Sequence, residues 1–311
     1  MQTERENKMS KITHIGILLL TLTLLPLSIW AQKDLYNSYI NQYMNMAVEQ
    51  MARYRIPASI TLAQALLESR AGTSPLAVSG NNHFGIKCGG TWAGTYMLVD
   101  DDAKNEHFRV YQSVKDSYED HSRFLRVNGR YANLFSFKIT DYKSWAYGLK
   151  AAGYATNPRY ADILIQLIED YDLSKLDHFS DSRRWQKVLR EEEKPDGHKV
   201  MMCNQNFYTI ARQGDTFKSI SKEMGVSERR LRKYNEVDRH YVLQEGDIIY
   251  FEKKQKRADK AYRVVYHRIK DGESLYSLSQ HYGMRLKTLY NINKLSSNYI
   301  PKVDDLILLR K

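Results

Sequence analysis

Aligning the last third of the chain on itself at an offset of 58 residues pairs Gly214 with Gly272, Asp215 with Glu273, Thr216 with Ser274, Leu231 with Leu289, Asn235 with Asn293, Tyr241 with Tyr299 and Asp247 with Asp305, without a gap. A match this regular means a duplicated unit and restricts the tail to two copies of one small fold. In the first copy Phe207-Tyr208-Thr209-Ile210 reads as a strand and Gly214-Asp215-Thr216 as a turn leading into a helix. Phe217, Ile220 and Met224 then mark one helix face, and Leu231 and Tyr234 mark the inward face of a second helix. Asp247-Ile248-Ile249-Tyr250 closes the unit as a strand. Two βααβ units are therefore expected, over 207–253 and 265–311, with 254–264 as a linker. At under about 50 residues each, they bury only small cores.

The other constraint lies upstream, between Pro57 and Lys87. Pro57 has the fixed backbone angle and missing donor that suit a first helical turn, and good helix formers follow until Gly72. Ile60, Leu62, Ala63, Leu66 and Leu67 cover most of that helix, which predicts an enclosed helix rather than a surface rod. Glu68 ends it. Burial favours the neutral form of a carboxylic acid, and a neutral acid is what must protonate a leaving glycosidic oxygen. Before it, Leu35, Tyr39, Tyr43, Ala47 and Met51 recur at helical spacing, so the two helices should pack as neighbours. Thr73 to Lys87 reads as a loop rich in Ser, Gly and Asn. Two alternating stretches, around Trp92 to Val99 and His107 to Tyr111, flank Asp100-Asp101-Asp102 and predict a hairpin with an acidic tip. Ser113 opens another helix, on whose apolar face His121 reads as a core histidine satisfied by its neighbours. Further helices follow, ending with one whose core face holds Tyr160, Leu164 and Ile168.

Ala65-Leu66-Leu67-Glu68-Ser69, followed by Asn82-His83-Phe84-Gly85-Ile86-Lys87, Phe108-Arg109-Val110-Tyr111 and Gly153-Tyr154-Ala155-Thr156-Asn157-Pro158-Arg159-Tyr160-Ala161, resembles the bacterial cell-wall glucosaminidases of glycoside hydrolase family 73 over roughly residues 40 to 172. The resemblance implies an α-rich, lysozyme-like domain with Glu68 as general acid. It also implies a functional tyrosine at Tyr154 and a sugar cleft shaped by Asn82, Phe84, Gly85 and Tyr160. The family's usual second carboxylate is a Glu on the hairpin; this shorter hairpin offers Asp101 and Asp102 instead. The tail copies resemble LysM modules through Gly-Asp-Thr-Phe, Gly-Glu-Ser-Leu and the shared Leu-x-x-x-Asn spacing. That likeness implies glycan binding at Gly214, Asp215, Thr216 and Asn235, and at Gly272, Glu273, Ser274 and Asn293.

Lys8 and Lys11 precede the uncharged apolar run Ile15 to Ile29, and Ala31 follows, so residues 1–31 read as a secretory signal. At about 15 residues the run is short for a span, which needs roughly 20. Export to the periplasm, envelope or exterior is expected, with no stable membrane insertion after cleavage. The net charge of +11 sits mostly from Asp177 onward, where 28 Lys and Arg face 19 Asp and Glu. That surface suits an anionic polymer, and export favours wall over nucleic acid. Cys88 and Cys203 lie in different regions, which implies no disulfide framework. The aspartate run lacks the alternating oxygen ligands and closing Glu of a calcium loop, so no metal or other cofactor is expected.

The expected organisation is α+β: a catalytic domain over 32–176, a charged linker over 177–206 with a short helix from Ser182 to Glu193, then the two modules. The expected activity is hydrolysis of the β-1,4 bond after N-acetylglucosamine in peptidoglycan, by a monomer. A lytic transglycosylase or muramidase on the same scaffold, or a non-catalytic wall-binding protein, are the rivals. Because the acid and its partners precede Asp177, the tail should be removable without loss of hydrolysis.

Overall fold

The computed structural model describes residues 32–89, 92–100, 104–179 and 196–311. The expected signal, the hairpin-tip aspartates Asp101 and Asp102, and the Ser182 to Glu193 helix lie outside these residues.

The first helix, α1, spans 32–54 and buries Tyr39, Ile40, Met44, Ala47, Val48 and Met51, the stripe its spacing predicts, while Leu35 at its start is exposed. After a turn at Arg55, held in the left-handed region, α2 runs Ala58–Glu68 with nine of its eleven residues buried. It packs against α5 (Tyr142–Ala151), α6 (Tyr160–Asp170) and a 3-10 turn, Leu173–His178. The segment expected to be loop contains α3, Pro75–Gly80. Ser74 caps it and Pro75 occupies its first turn, a start signal that the surrounding Ser and Gly residues obscure. β1 (Tyr96–Val99) and β2 (Glu106–Arg109) form the predicted antiparallel hairpin. α4 (Val114–Val127) starts with a reciprocal capping box between Ser113 and Asp116.

Both tail repeats have the predicted βααβ order. In the first, β4 (Asn206–Ile210) and β5 (Ile248–Tyr250) pair around α7 (Phe217–Met224) and α8 (Glu228–Asn235). In the second, β6 (Tyr266–Arg268) and β7 (Leu306–Leu308) pair around α9 (Leu275–His281) and α10 (Leu286–Ile292). The chain is thus an α-rich domain with a small hairpin, followed by two βααβ units.

The expected linkers are where sequence and structure differ. Within 177–206, Met201–Cys203 forms β3, which pairs with β4 and makes the first repeat's sheet three-stranded. Met202 donates its backbone N–H to Asn41 Oδ1 on α1 at 2.8 Å. Phe179 and Phe207 meet edge to face with centroids 4.9 Å apart, and one continuous core joins the helical domain to the first repeat. In the second expected linker, Lys254 and Ala258 are fully buried and Lys260–Tyr262 forms a 3-10 turn. The charged residues between 180 and 195 had drawn the linker reading outward over flanks whose apolar side chains are core.

Asp177 is the clearest such case. It is fully buried, and its Oδ1 accepts the Ser59 N–H at 2.9 Å while Oδ2 accepts the Ser59 hydroxyl at 2.6 Å. Pro57 cannot cap α2 with a side chain, so a residue 118 positions away does. Burial pushes the Asp177 carboxyl up to about 7 from 3.8, outweighing the bonds from Ser59 and Ala58. The native state therefore binds more protons than the unfolded chain between those values, so this contribution is fully present below about pH 4 and is lost as pH rises through 7. Urea unfolding is expected to show a stability difference of at most about 4 kcal/mol across that window. Asp177→Asn should flatten it; an unchanged pH slope in the variant would contradict the assignment.

Candidate active site

Glu68 is the last residue of α2 and is half-buried. Tyr160, the first residue of α6, donates its hydroxyl to Glu68 Oε1 at 3.1 Å. Gln64, one helical turn before Glu68, donates its amide N–H to the Tyr160 oxygen at 3.0 Å. With that oxygen occupied as an acceptor, the single phenolic proton is directed at Glu68. Sequence reading missed Gln64. Its signal was a lone polar side chain at i−4 from the carboxylate within an otherwise apolar stretch.

Tyr154 stacks on Tyr160, with centroids 5.6 Å apart and planes 23° from parallel. Burial, then the neighbouring Glu68 charge, raises the Tyr154 phenol well above its ordinary range; burial does the same for Tyr160, helped by Tyr154 and Glu68. Both phenols therefore stay protonated near neutral pH, and Tyr160 serves as a neutral donor to Glu68. Glu68, Tyr154 and Tyr160 lie together, with Tyr160 bonded to the carboxylate.

Of the other expected cleft residues, Asn82 and Phe84 are buried and Gly85 is half-buried. Asn82 is buried and clips two motifs together. Its amide donates to Ile86 O at 3.0 Å and Arg109 O at 2.9 Å, and its Oδ1 accepts Ile86 N–H at 3.1 Å. Gly85 has φ +59° with open space around its Cβ direction, so the left-handed turn rather than crowding calls for glycine. Phe84 is buried and stacks on His121 at 3.9 Å and 9°, and His121 in turn meets the edge of Tyr154 at 6.1 Å. His121 is core, but neither ring nitrogen has a hydrogen-bond partner among the described residues, and burial pushes its pKa down to about 3. The expectation of a satisfied histidine is corrected: it is a neutral ring in an aromatic stack, placed there by the alternation of α4.

On the hairpin, Lys87 contacts both oxygens of Glu106 at 2.9 Å, and Arg109 and Tyr111 each reach Asp120 Oδ2 at 2.7 Å. Glu106, the first residue of β2, is a hairpin carboxylate that the sequence reading passed over. Among the described residues no group of three His, Cys, Asp or Glu side chains could hold a metal ion, and no helix is long and apolar enough to cross a membrane.

In the repeats, Gly214 and Gly272 sit at φ +85° and +77° in equivalent turns. Asp215 and Glu273 accept backbone N–H groups three residues upstream, from Arg212 at 2.6 Å and Lys270 at 2.9 Å. Thr216 and Ser274 cap α7 and α9. Asn235 and Asn293 each bond the carbonyl four residues upstream and both polar groups of the closing strand, at Tyr250 and Leu308. These eight residues therefore build the turn, the cap and the clip of each repeat. Beside them, Val242 and Ile300, equivalent by the 58-residue offset, are 71% and 81% exposed.

The geometry thus brings together a half-buried carboxylic acid at the end of a buried helix, a phenol that fixes one of its oxygens, and a second phenol stacked on the first. Residues 44–173 match the family model of the mannosyl-glycoprotein endo-beta-N-acetylglucosaminidases, and 209–251 and 267–309 match the LysM domain. The chain carries a glucosaminidase domain like those of glycoside hydrolase family 73, a glycoside hydrolase by class, followed by two LysM modules. It is 36% identical over 142 residues to the exo-glucosaminidase LytG of Bacillus subtilis, covering 42% of this chain and 49% of that one. An autolysin of Enterococcus faecalis is 26% identical over 78% of this chain and 36% of its own length. The peptidoglycan hydrolase FlgJ of Vibrio parahaemolyticus is 33% identical over 44% of this chain and 48% of its own. The matches thus span at most about half the length of these relatives.

Tyr160→Phe removes the donor to Glu68 Oε1 while keeping the ring stack. The bond becomes charge-assisted as Glu68 gives up its proton, and in that form it contributes about 1.5 to 3 kcal/mol, so kcat should fall roughly tenfold or more. KM should change little, because the Tyr160 hydroxyl is engaged by Glu68 and Gln64. Unaltered steady-state kinetics on a soluble glycan would show that the Tyr160–Glu68 contact is idle.

Proposed function

We propose that this chain is an exported peptidoglycan hydrolase that cleaves the β-1,4 bond after N-acetylglucosamine and is held on the wall by its LysM modules. The observation that carries the reading is the Gln64–Tyr160–Glu68 chain. With Oε1 fixed by the Tyr160 hydroxyl, Glu68 gives its proton to the glycosidic oxygen as the bond breaks. Asp101 or Asp102, between β1 and β2 in the sequence, would place or activate the water that completes hydrolysis. The neutral Tyr154 hydroxyl would orient that water or the reacting sugar. Asn82, Phe84 and Gly85 support the cleft floor from beneath. The similarity to a glucosaminidase, an autolysin and a peptidoglycan hydrolase favours wall glycan as substrate. The basic tail and the apolar run before residue 32 agree with work outside the cytoplasm.

The test is to incubate purified full-length protein with isolated peptidoglycan and follow new reducing ends. Their steady appearance is expected. Binding to the wall without any release would establish a tethering protein instead.

A further inference from the structure

The two repeats are locked together through a buried seam. Lys254 is fully buried, pairs with Glu236 at 3.0 Å and donates to Ser279 Oγ at 3.2 Å and to Gln280 Oε1. Gln280 donates to Asn235 Oδ1 at 3.1 Å and Ile248 O at 2.9 Å, and accepts the Tyr250 hydroxyl at 2.7 Å on its carbonyl. Glu236 also accepts the Leu286 N–H at 2.9 Å, at the start of α10. A buried lysine is tolerated only with such partners, and losing one leaves an uncompensated charge. The module order seen here is therefore a fixed pairing, unlike the free linker expected over 254–264.

The duplication separates seam from scaffold. At the 58-residue offset the turn, cap and clip residues match, whereas the seam residues differ: Glu236 faces Lys294, Tyr250 faces Leu308, Tyr276 faces Lys218 and Gln280 faces Lys222. Each copy is specialised for its side of the junction. At the seam the Tyr241 ring of the first repeat meets the Tyr276 ring of the second, with centroids 6.1 Å apart, and both rings are half-exposed. Tyr276 lies two residues beyond Ser274, and Tyr241 immediately precedes the exposed Val242, so the pair joins the turn of one module to the loop of the other. Tyr241 is held by its bond to Asp247 at 3.0 Å. Paired aromatic faces with polar edges fit the apolar face and equatorial hydroxyls of a pyranose.

We propose that this seam is itself a sugar-binding surface, on which Tyr241 and Tyr276 hold an interior residue of a β-1,4-linked N-acetylhexosamine strand whose neighbours lie on the two modules. The proposal rests on the glycan-binding reading of the modules and adds to it a preference for long strands. An oligomer short enough for one module gains nothing from the seam, whereas one that crosses it engages both modules in a fixed register without linker entropy.

The experiment is calorimetric titration of the full chain, carrying Glu68→Gln to suppress cleavage, with N-acetylglucosamine tetramer and octamer. The octamer should bind about tenfold or more tighter than the tetramer, a step beyond the statistical gain of extra registers. Tyr276→Lys, which installs the residue of the first repeat at that position, should bring the octamer down to the tetramer's affinity while the tetramer's own affinity stays unchanged. Tyr276→Trp should keep the step and shift its fluorescence on octamer binding. A length step that survives in Tyr276→Lys, or a Tyr276→Trp emission indifferent to octamer, overturns the seam while leaving the modules as sugar readers. Failure of every oligomer to bind overturns the module reading and the seam with it.

Discussion

Replacing Glu68 by Gln is expected to lower turnover on peptidoglycan by roughly 100-fold or more, the scale on which a positioned general acid contributes. The substitution preserves shape and leaves an oxygen for the Tyr160 hydroxyl, so the Gln64–Tyr160 chain and the fold of α2 should survive. What it removes is the proton that Glu68 would deliver. Binding to insoluble wall should therefore be unchanged, which separates a lost acid from a lost site. Activity within a fewfold of the parent would mean that the leaving oxygen is protonated by another group, and Glu106 on β2 would be the first to examine.

Removing residues 206–311 is expected to destabilise the catalytic domain severely. From sequence the tail looked detachable, since every candidate catalytic residue precedes it. In the structure Phe207, Ala211, Ile220, Leu231 and Ile249 of the first repeat belong to the same core as Leu173, Leu176 and Phe179. β3 would also lose its partner strand. At about 1.5 to 3 kcal/mol for each large apolar side chain returned to water, exposing a few of them removes a large part of a typical stability of about 5 to 15 kcal/mol. Thermal unfolding should shift down by more than about 10 °C, or the fragment should aggregate. A shorter deletion, of 255–311 alone, leaves the shared core intact because the second repeat has its own. It should cost less. A 32–205 fragment melting within a couple of degrees of the full chain would refute the shared core.

Where the sequence could be read, the signal was local and periodic. The α1 stripe, the enclosed α2, the hairpin and the two βααβ units all follow from spacing and turn chemistry within a few residues. The motif residues also fell in the right neighbourhood, because Glu68, Tyr154 and Tyr160 share one site. What stayed hidden was the choice of partner across the chain. Asp177 caps Ser59 from 118 positions away, and Tyr160 reaches Glu68 across 92. No local pattern distinguishes a carboxylate or phenol that will find such a partner from one left in solvent. Asn82 and Asn235 illustrate the converse. Each looks like a ligand-contacting polar residue, yet each fastens backbone segments that would otherwise lack partners once buried. Lys254 reads as linker because its charge is answered by Glu236, a residue of the preceding module that no local pattern ties to it.

The central claim is that Glu68 protonates the oxygen leaving from an N-acetylglucosamine residue, with water completing the reaction. Its most direct test is the identity of the new chain ends. Muropeptides released from purified wall by the full-length protein would be reduced with borohydride and analysed by mass spectrometry. The account predicts reduced N-acetylglucosamine at the ends, and almost none from the Glu68→Gln protein. Reduced N-acetylmuramic acid would assign the other bond, 1,6-anhydro ends would mean that no water attacks, and either result would contradict the account.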